Sequence, residues 1–179
     1  YAVMTINSFS NGRKKKFFRK QFKLLEQKNI QNLVIDVRNN GGGLIKQSLF
    51  LTKYVQRKKF VFIDSIVSYK KTVSNAKYLR YGLVYKLGMI FMSKKAADGT
   101  YMFRYFNQKE KKPMKHAFTG HVYVITGGYS FSAATLFAAS VKGLQHVTIV
   151  GEETGGGYYG NNGAFIPEMV LPNTKMRVR

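Results

Sequence analysis

Apolar positions in this chain follow two rhythms, one with the helical period of about 3.6 residues and one of short contiguous runs. In the segment RKKKFFRKQFKLL, residues 13–25, Phe18, Phe22 and Leu25 recur at helical steps among Lys and Arg, with Phe17 and Leu24 beside them. This predicts an amphipathic helix with a basic solvent face. A short strand over residues 2–7 comes before it. Residues 33–37 are nearly continuous in Leu, Val and Ile, too short for a helix and without polar alternation, as expected of a strand covered on both faces. Beyond Gly41, Gly42 and Gly43 the helical rhythm returns over residues 44–56, where Ile45, Leu49, Leu51 and Val55 form a packing stripe. Strand, helix, strand, helix in this order predicts an α/β fold on a parallel sheet.

Residues 58–118 break the alternation and are expected to be an insertion within a single domain spanning residues 1–179. Residues 60–69 alternate as a strand does, 74–92 have helical periodicity with many tyrosines, 100–106 form a further strand, and 107–115 make a charged exposed loop with Pro113. From Gly120 the pattern tightens into a strand over 121–126, a turn, a small-residue helix over 132–141, a strand over 147–150 and a glycine-rich loop to Gly163. The last stretch, 164–179, predicts two short strands broken at Pro172 and Asn173.

With 179 residues, 45% of them hydrophobic, one domain with a substantial core is expected. The chain opens on Tyr1, closes in the strand-like KMRVR, and shows no signal-peptide pattern and no apolar run long enough to cross a bilayer. It is therefore expected to be an internal piece of a longer protein. The absence of cysteine excludes disulfides and thiolate metal sites, and no cluster of His and carboxylates shows metal-ligand spacing, so no cofactor is implied. The net charge of +22 implies attraction to polyanions, whether acidic protein, anionic lipid or nucleic acid. It is unevenly placed, with 26 Lys and Arg against 5 Asp and Glu in residues 1–115, and 4 against 3 in residues 116–179. The basic face of the first helix is the candidate for an anionic surface contact; no nucleic-acid motif accompanies it, and nucleic acid is not an expected partner.

The residues able to do chemistry gather in three runs: LVIDVRNNGGG at 33–43, GGYSFSAATLFAAS at 127–140 and IVGEETGGG at 149–157. Each is a strand ending in small residues, which lets backbone N–H groups approach a ligand closely. That is what an oxyanion hole needs. The second run also sets Ser130 and Ser132 where a strand gives way to a helix N-terminus.

At these residues the chain resembles the C-terminal processing (tail-specific) serine peptidases, whose D-x-R-x-N-x-G-G segment supplies an oxyanion donor and whose later small-residue S-A segment carries the nucleophile. The resemblance runs from the opening VMTINSF through Gly157 to the hairpin near Pro172. It implies a crotonase/ClpP-like β-α spiral core with an inserted strand-helix-strand segment, serine endopeptidase activity on protein or peptide substrates, and a place in the bacterial cell envelope, periplasmic or exported. Counting back from Gly151, Glu152 and Thr154 puts the nucleophile at Ser132, with Ser130 two places before it. The oxyanion donors implied are the N–H groups of Ala133 and Gly42, with Gly41 as a neighbouring candidate. Asp36, Arg38, Glu152 and Thr154 are implied as residues that shape the site.

The general base is missing from this pattern. The lysine of the family segment G-E-x-T-F-G-K-G falls on Gly157, and the opening-strand histidine of tricorn-like members falls on Thr5. A serine hydroxyl is a weak nucleophile without a base. Either the base comes from an unmatched position, or it lies outside these residues, or the chain is a catalytically inactive peptide-binding homologue. His116, His121 and His146 are expected to be packed or solvated, and Lys46 to be a solvated helix residue. Asp36 and Arg38 are expected to pair, Asn39 and Asn40 to shape the turn, and Glu152 and Glu153 to cap. Ser132 also suits a plain helix N-cap. A hydratase or thioesterase on the same scaffold is a further alternative, disfavoured by a serine at the helix start.

Overall fold

The computed structural model describes residues 1–179 except 11, 13, 72–74, 104–108, 162–166 and 179. They divide into two compact units, Tyr1–Phe60 with Glu110–Ala164, and Val61–Lys109 with Phe165–Arg179.

The first unit is a mixed α/β structure on a parallel four-stranded sheet. Its strands lie in chain order: β1 (Ala2–Thr5), β2 (Asn32–Asp36), β3 (His121–Thr126) and β4 (Val147–Gly151). In register, Val3 stands opposite Val34, Val34 opposite Tyr123 and Tyr123 opposite Thr148, so the C-terminal ends of the strands form one edge. Helix α1 (Lys14–Gln27) follows β1, α2 (Ile45–Val55) follows β2, and α3 (Ala133–Val141) follows β3.

Burial along the sheet corrects one expectation. Leu33, Ile35 and Val37 are fully buried, as are Val122 and Val124, while the residues between them are half-buried or exposed. The sheet is covered on one face, where Phe18, Phe22 and Leu25 of α1, Leu51, Tyr54 and Val55 of α2, and Phe137 and Val141 of α3 join the strand residues in one core cluster. Strands that neighbour one another in chain order, linked by right-handed crossovers, return their helices to the same side. The opposite face leaves Val3, Tyr123 and Val150 exposed.

The α1 periodicity has a direct packing meaning. Phe22 stacks on Tyr54 with ring centroids 4.4 Å apart and planes 9° apart, and burying a side chain of this size stabilises by roughly 2 kcal/mol. A polar seam joins α2 to α3: Ser48 Oγ donates to Ala133 O at 2.7 Å, and Gln56 Nε2 donates to Ser140 O at 2.7 Å. This fixes the start of α3 against α2.

In the second unit, a three-stranded antiparallel sheet sets Tyr101–Phe103 between Val67–Ser68 and Ser93–Lys95, and helix Gly82–Met92 precedes the last of these in the chain. The strand expected over 60–69 is reduced to Phe60–Val61 and Val67–Ser68, and the one over 100–106 is described only at Tyr101–Phe103, since 104–106 lie outside the described residues. The helix expected over 74–92 is interrupted: a 3-10 turn at Ala76–Tyr78 ends, Tyr81 takes a left-handed φ of 60°, and only then does the helix start. Residue 74 lies outside the described residues. Gly82 sits against the Ala76 carbonyl, where a side chain would not fit. A hairpin of Met169–Val170 and Arg177–Val178 follows, with Glu168 pairing to Arg80 at 3.0 Å and to Arg177 at 3.7 Å.

Candidate active site

The loop after β2 is organised by Asn40, which is fully buried. Its Nδ2 donates to Ile6 O at 2.8 Å, its Oδ1 accepts the Gly42 N–H at 2.9 Å, and its carbonyl accepts the Phe131 N–H at 3.0 Å. One residue thus ties three segments together, its side chain holding the end of β1 and the glycine turn and its backbone carbonyl the serine turn. An asparagine before glycines signals a turn in sequence, but nothing in the sequence shows partners 34 and 91 residues away. Asp36 and Arg38 form the expected pair at the loop entrance, with Arg38 Nη2 2.7 Å from Asp36 Oδ2. Hydrogen bonding to that guanidinium holds the Asp36 carboxyl below its ordinary range.

The two serines separate cleanly. Ser130 is fully buried; its Oγ donates to Val37 O at 2.8 Å and accepts the Gly127 N–H at 3.2 Å. Both its donor and its acceptor capacity serve the turn. Ser132 is partly exposed, and its hydroxyl takes part in no hydrogen bond among the described residues. It occupies the N-cap position of α3 without a side-chain capping bond, at φ 51° and ψ −115°. This backbone region is sparsely populated by residues with a Cβ and costs on the order of 1–3 kcal/mol. A plain helix cap would sit in the extended region and bond the next turn, so capping does not account for this serine.

Glycines hold that conformation from two sides. A Cβ on Gly42, at φ 102°, would stand 2.8 Å from Ser132 Cβ, 2.8 Å from Phe131 O and 3.1 Å from Ala133 N. On the loop after β4, a Cβ on Gly156 would stand 3.1 Å from Ser132 N, and Gly156 N–H donates to Ser130 O at 3.2 Å. The three runs therefore converge on Ser132. Gly156 was not singled out from the sequence, where it is one of three consecutive glycines.

The amides around Ser132 are unevenly available. Ala133 N–H opens α3 and makes no hydrogen bond among the described residues; the same holds for Gly41 N–H on an exposed residue. Gly42 N–H is turned onto Asn40. The loop thus has one open amide and one engaged amide, side by side.

The other candidates lie at or away from this point. Glu152 and Glu153 are exposed after β4; the backbone of Glu152, through its carbonyl, accepts Thr126 Oγ1 at 2.8 Å. Thr154 Oγ1 closes its own loop on Gly156 O at 3.1 Å. Gly157, the position aligned with the family lysine, is next to Gly156 and brings no side chain. Thr5 sits at the end of β1 opposite Asp36. His116 bonds Glu26 at 2.5 Å, His121 bonds Thr148 at 2.8 Å near the far ends of their strands, and His146 bonds Val55 O at 2.9 Å. None of the three bonds Ser132. Lys46 is exposed.

The parallel α/β unit thus sets a serine with a left-handed φ at a helix start, between two glycine turns. Residues 1–175 match peptidase family S41, and the chain belongs to that family. No curated protein matches the chain. Among solved structures it is similar to mature CPAF complexed with lactacystin (TM-score 0.67, 14% identity, 98% of this chain and 41% of that one). It is also similar to a protein from Parabacteroides merdae (0.57, 22%, 87% and 40%) and to the photosystem II D1 C-terminal processing protease (0.53, 16%, 84% and 30%). Identities this low speak for the fold, and the chain spans 30–41% of the length of these structures.

Proposed function

We propose that this chain carries the nucleophile and oxyanion site of a serine endopeptidase, built on a crotonase/ClpP-like spiral. The observation that carries the reading is the backbone of Ser132, held at φ 51° against Gly42 with its hydroxyl unspent. The first unit positions the Ala133 N–H beside the nucleophile, and the glycine turn contributes a second amide. Gly41 N–H is open for this as the structure stands; Gly42 N–H takes the role on releasing Asn40. Ser132 Oγ attacks the peptide carbonyl carbon, the two amides stabilise the oxyanion, the C–N bond breaks as the amine leaves with a proton, and water hydrolyses the acyl-enzyme. The Ser132 proton passes to a general base, which no hydrogen bond to the hydroxyl identifies among the described residues. Tail-directed cleavage and a place in the bacterial cell envelope follow from the family resemblance as part of this proposal.

A second reading is favoured by one observation: no described residue hydrogen-bonds the Ser132 hydroxyl. In it the chain is a catalytically inactive peptide-binding homologue. A fluorophosphonate probe on the full-length protein separates the two. Covalent labelling of the wild type and its loss in Ser132→Ala support the nucleophile, whereas a full-length, folded protein that takes no label supports the binder.

A further inference from the structure

The oxyanion loop has a basic groove beside it that the proposed chemistry does not use. It lies between the end of β1 and the first turns of α1, has a volume of about 520 Å³, and is lined by Thr5, Ile6, Lys14, Lys16, Phe17 and Lys20. Lys16 and Lys20 are exposed and Lys14 partly so. Among the described residues none of the three has a carboxylate partner; the one acid of α1, Glu26, is taken by His116. Three lysines therefore line one concave space with no acidic partner among the described residues.

The position of the groove is as telling as its charge. β1 is parallel to β3, so the groove and Ser132 lie along the same C-terminal edge of the sheet. Its wall is bonded directly to the catalytic loop: Ile6 N donates to Asp36 O at 2.9 Å, Ile6 O accepts Asn40 Nδ2 at 2.8 Å, and Phe9 N donates to Gly42 O at 2.8 Å. Two strand spacings separate β1 from β3, about 10 Å, which an extended peptide covers in about three residues.

We infer that this groove binds acidic side chains of the polypeptide substrate, three or four residues from the bond that Ser132 attacks. Carboxylates on an extended chain replace water at Lys14, Lys16 and Lys20, while Phe17 covers their methylene stems. Opposite charge across such a contact sets partner choice and speeds encounter, and both fade as salt screens them. A membrane lipid would offer the same anionic chemistry, but it does not account for a groove wall hydrogen-bonded to the oxyanion loop. The inference deepens the peptidase reading and takes its site from it.

The test uses full-length Ser132→Ala protein and two fluorescent twelve-residue peptides, identical except that three Glu in one are Gln in the other. Fluorescence anisotropy at low salt is expected to show at least tenfold tighter binding of the Glu peptide, falling towards parity at 0.5 M NaCl. The double change Lys16→Glu and Lys20→Glu should abolish the preference, whereas Lys28→Glu, beyond the far end of α1, should leave at least half of it. Equal affinity for both peptides, or an equal loss from Lys28→Glu, overturns the inference. So does binding to phosphatidylglycerol vesicles through Lys16 and Lys20 with no peptide preference. Fluorophosphonate labelling of the otherwise wild-type enzyme keeps the two claims apart. Labelling without Glu preference sinks the groove alone; Glu preference without labelling supports the groove and removes catalysis.

Discussion

Gly42 and Ser132, 90 residues apart in the chain, touch so closely that a methyl group on the glycine would stand 2.8 Å from the serine Cβ. Real Cβ atoms do not approach one another this way. The glycine is thus required twice over, by its φ of 102° and by the space its missing side chain leaves for the serine turn.

Gly42→Ala should accordingly destabilise the protein by about 2 kcal/mol or more, through positive φ and overpacking together, and lose fluorophosphonate labelling. Gly41→Ala is the contrast, because nothing lies within 4 Å of its added carbon and its φ is ordinary; stability should stay within about 0.5 kcal/mol. Urea unfolding of both variants checks the pair. Equal costs would mean that the two turns do not meet in solution.

Ser132 makes a less intuitive prediction. Replacing it by Gly should relieve the strained backbone and raise stability by about 1–3 kcal/mol over Ser132→Ala, while both variants lose labelling. A thermal melt in which the two variants coincide would show that the backbone of residue 132 relaxes in solution.

Asn40→Ala strands Ile6 O and Gly42 N–H in the interior, and should cost about 2–3 kcal/mol at the usual toll of an orphaned buried group. Its neighbour Asn39 is exposed, so Asn39→Ala should fall within about 0.5 kcal/mol. Denaturant midpoints at matched slope decide between a hub and an ordinary turn residue.

Acid sensitivity follows from Asp36. Its folded pKa is depressed by Arg38, so its contribution to stability is complete above the unfolded value of about 3.9 and is lost as pH falls through the depressed folded value. Asp36→Asn should reduce stability near neutrality and flatten the loss below about pH 4. Denaturation midpoints from pH 6 to pH 2 for both proteins give the comparison, and parallel curves would contradict the pairing.

Much of the architecture was legible along the chain because it is set by short-range rules. Phe18, Phe22 and Leu25 are buried on α1 as their spacing requires, and the bounds of β3 match the apolar run from which they were expected. One expectation that failed was burial on both faces of β2. An apolar run records that a strand is apolar, whereas the side on which the helices return depends on strand order and crossover hand. The helix over 74–92 failed for a similar reason: apolar periodicity continues across Tyr81 and Gly82, but backbone packing against Ala76 interrupts it.

What the amino-acid order determined by itself is the set of parts: glycines where chains must pass closely, serines at the start of a small-residue helix, and basic residues concentrated in the first two thirds. Which serine is free was decided only by the tertiary structure, because a hydroxyl is spent or available according to neighbours far away in the chain. Val37 O occupies Ser130, 93 residues on, and no equivalent acceptor reaches Ser132 among the described residues. The same reason applies to the glycine amides, where Asn40 engages Gly42 and leaves Gly41 open. Hydrogen-bond capacity is a property of residue type; whether it is satisfied is a property of the fold.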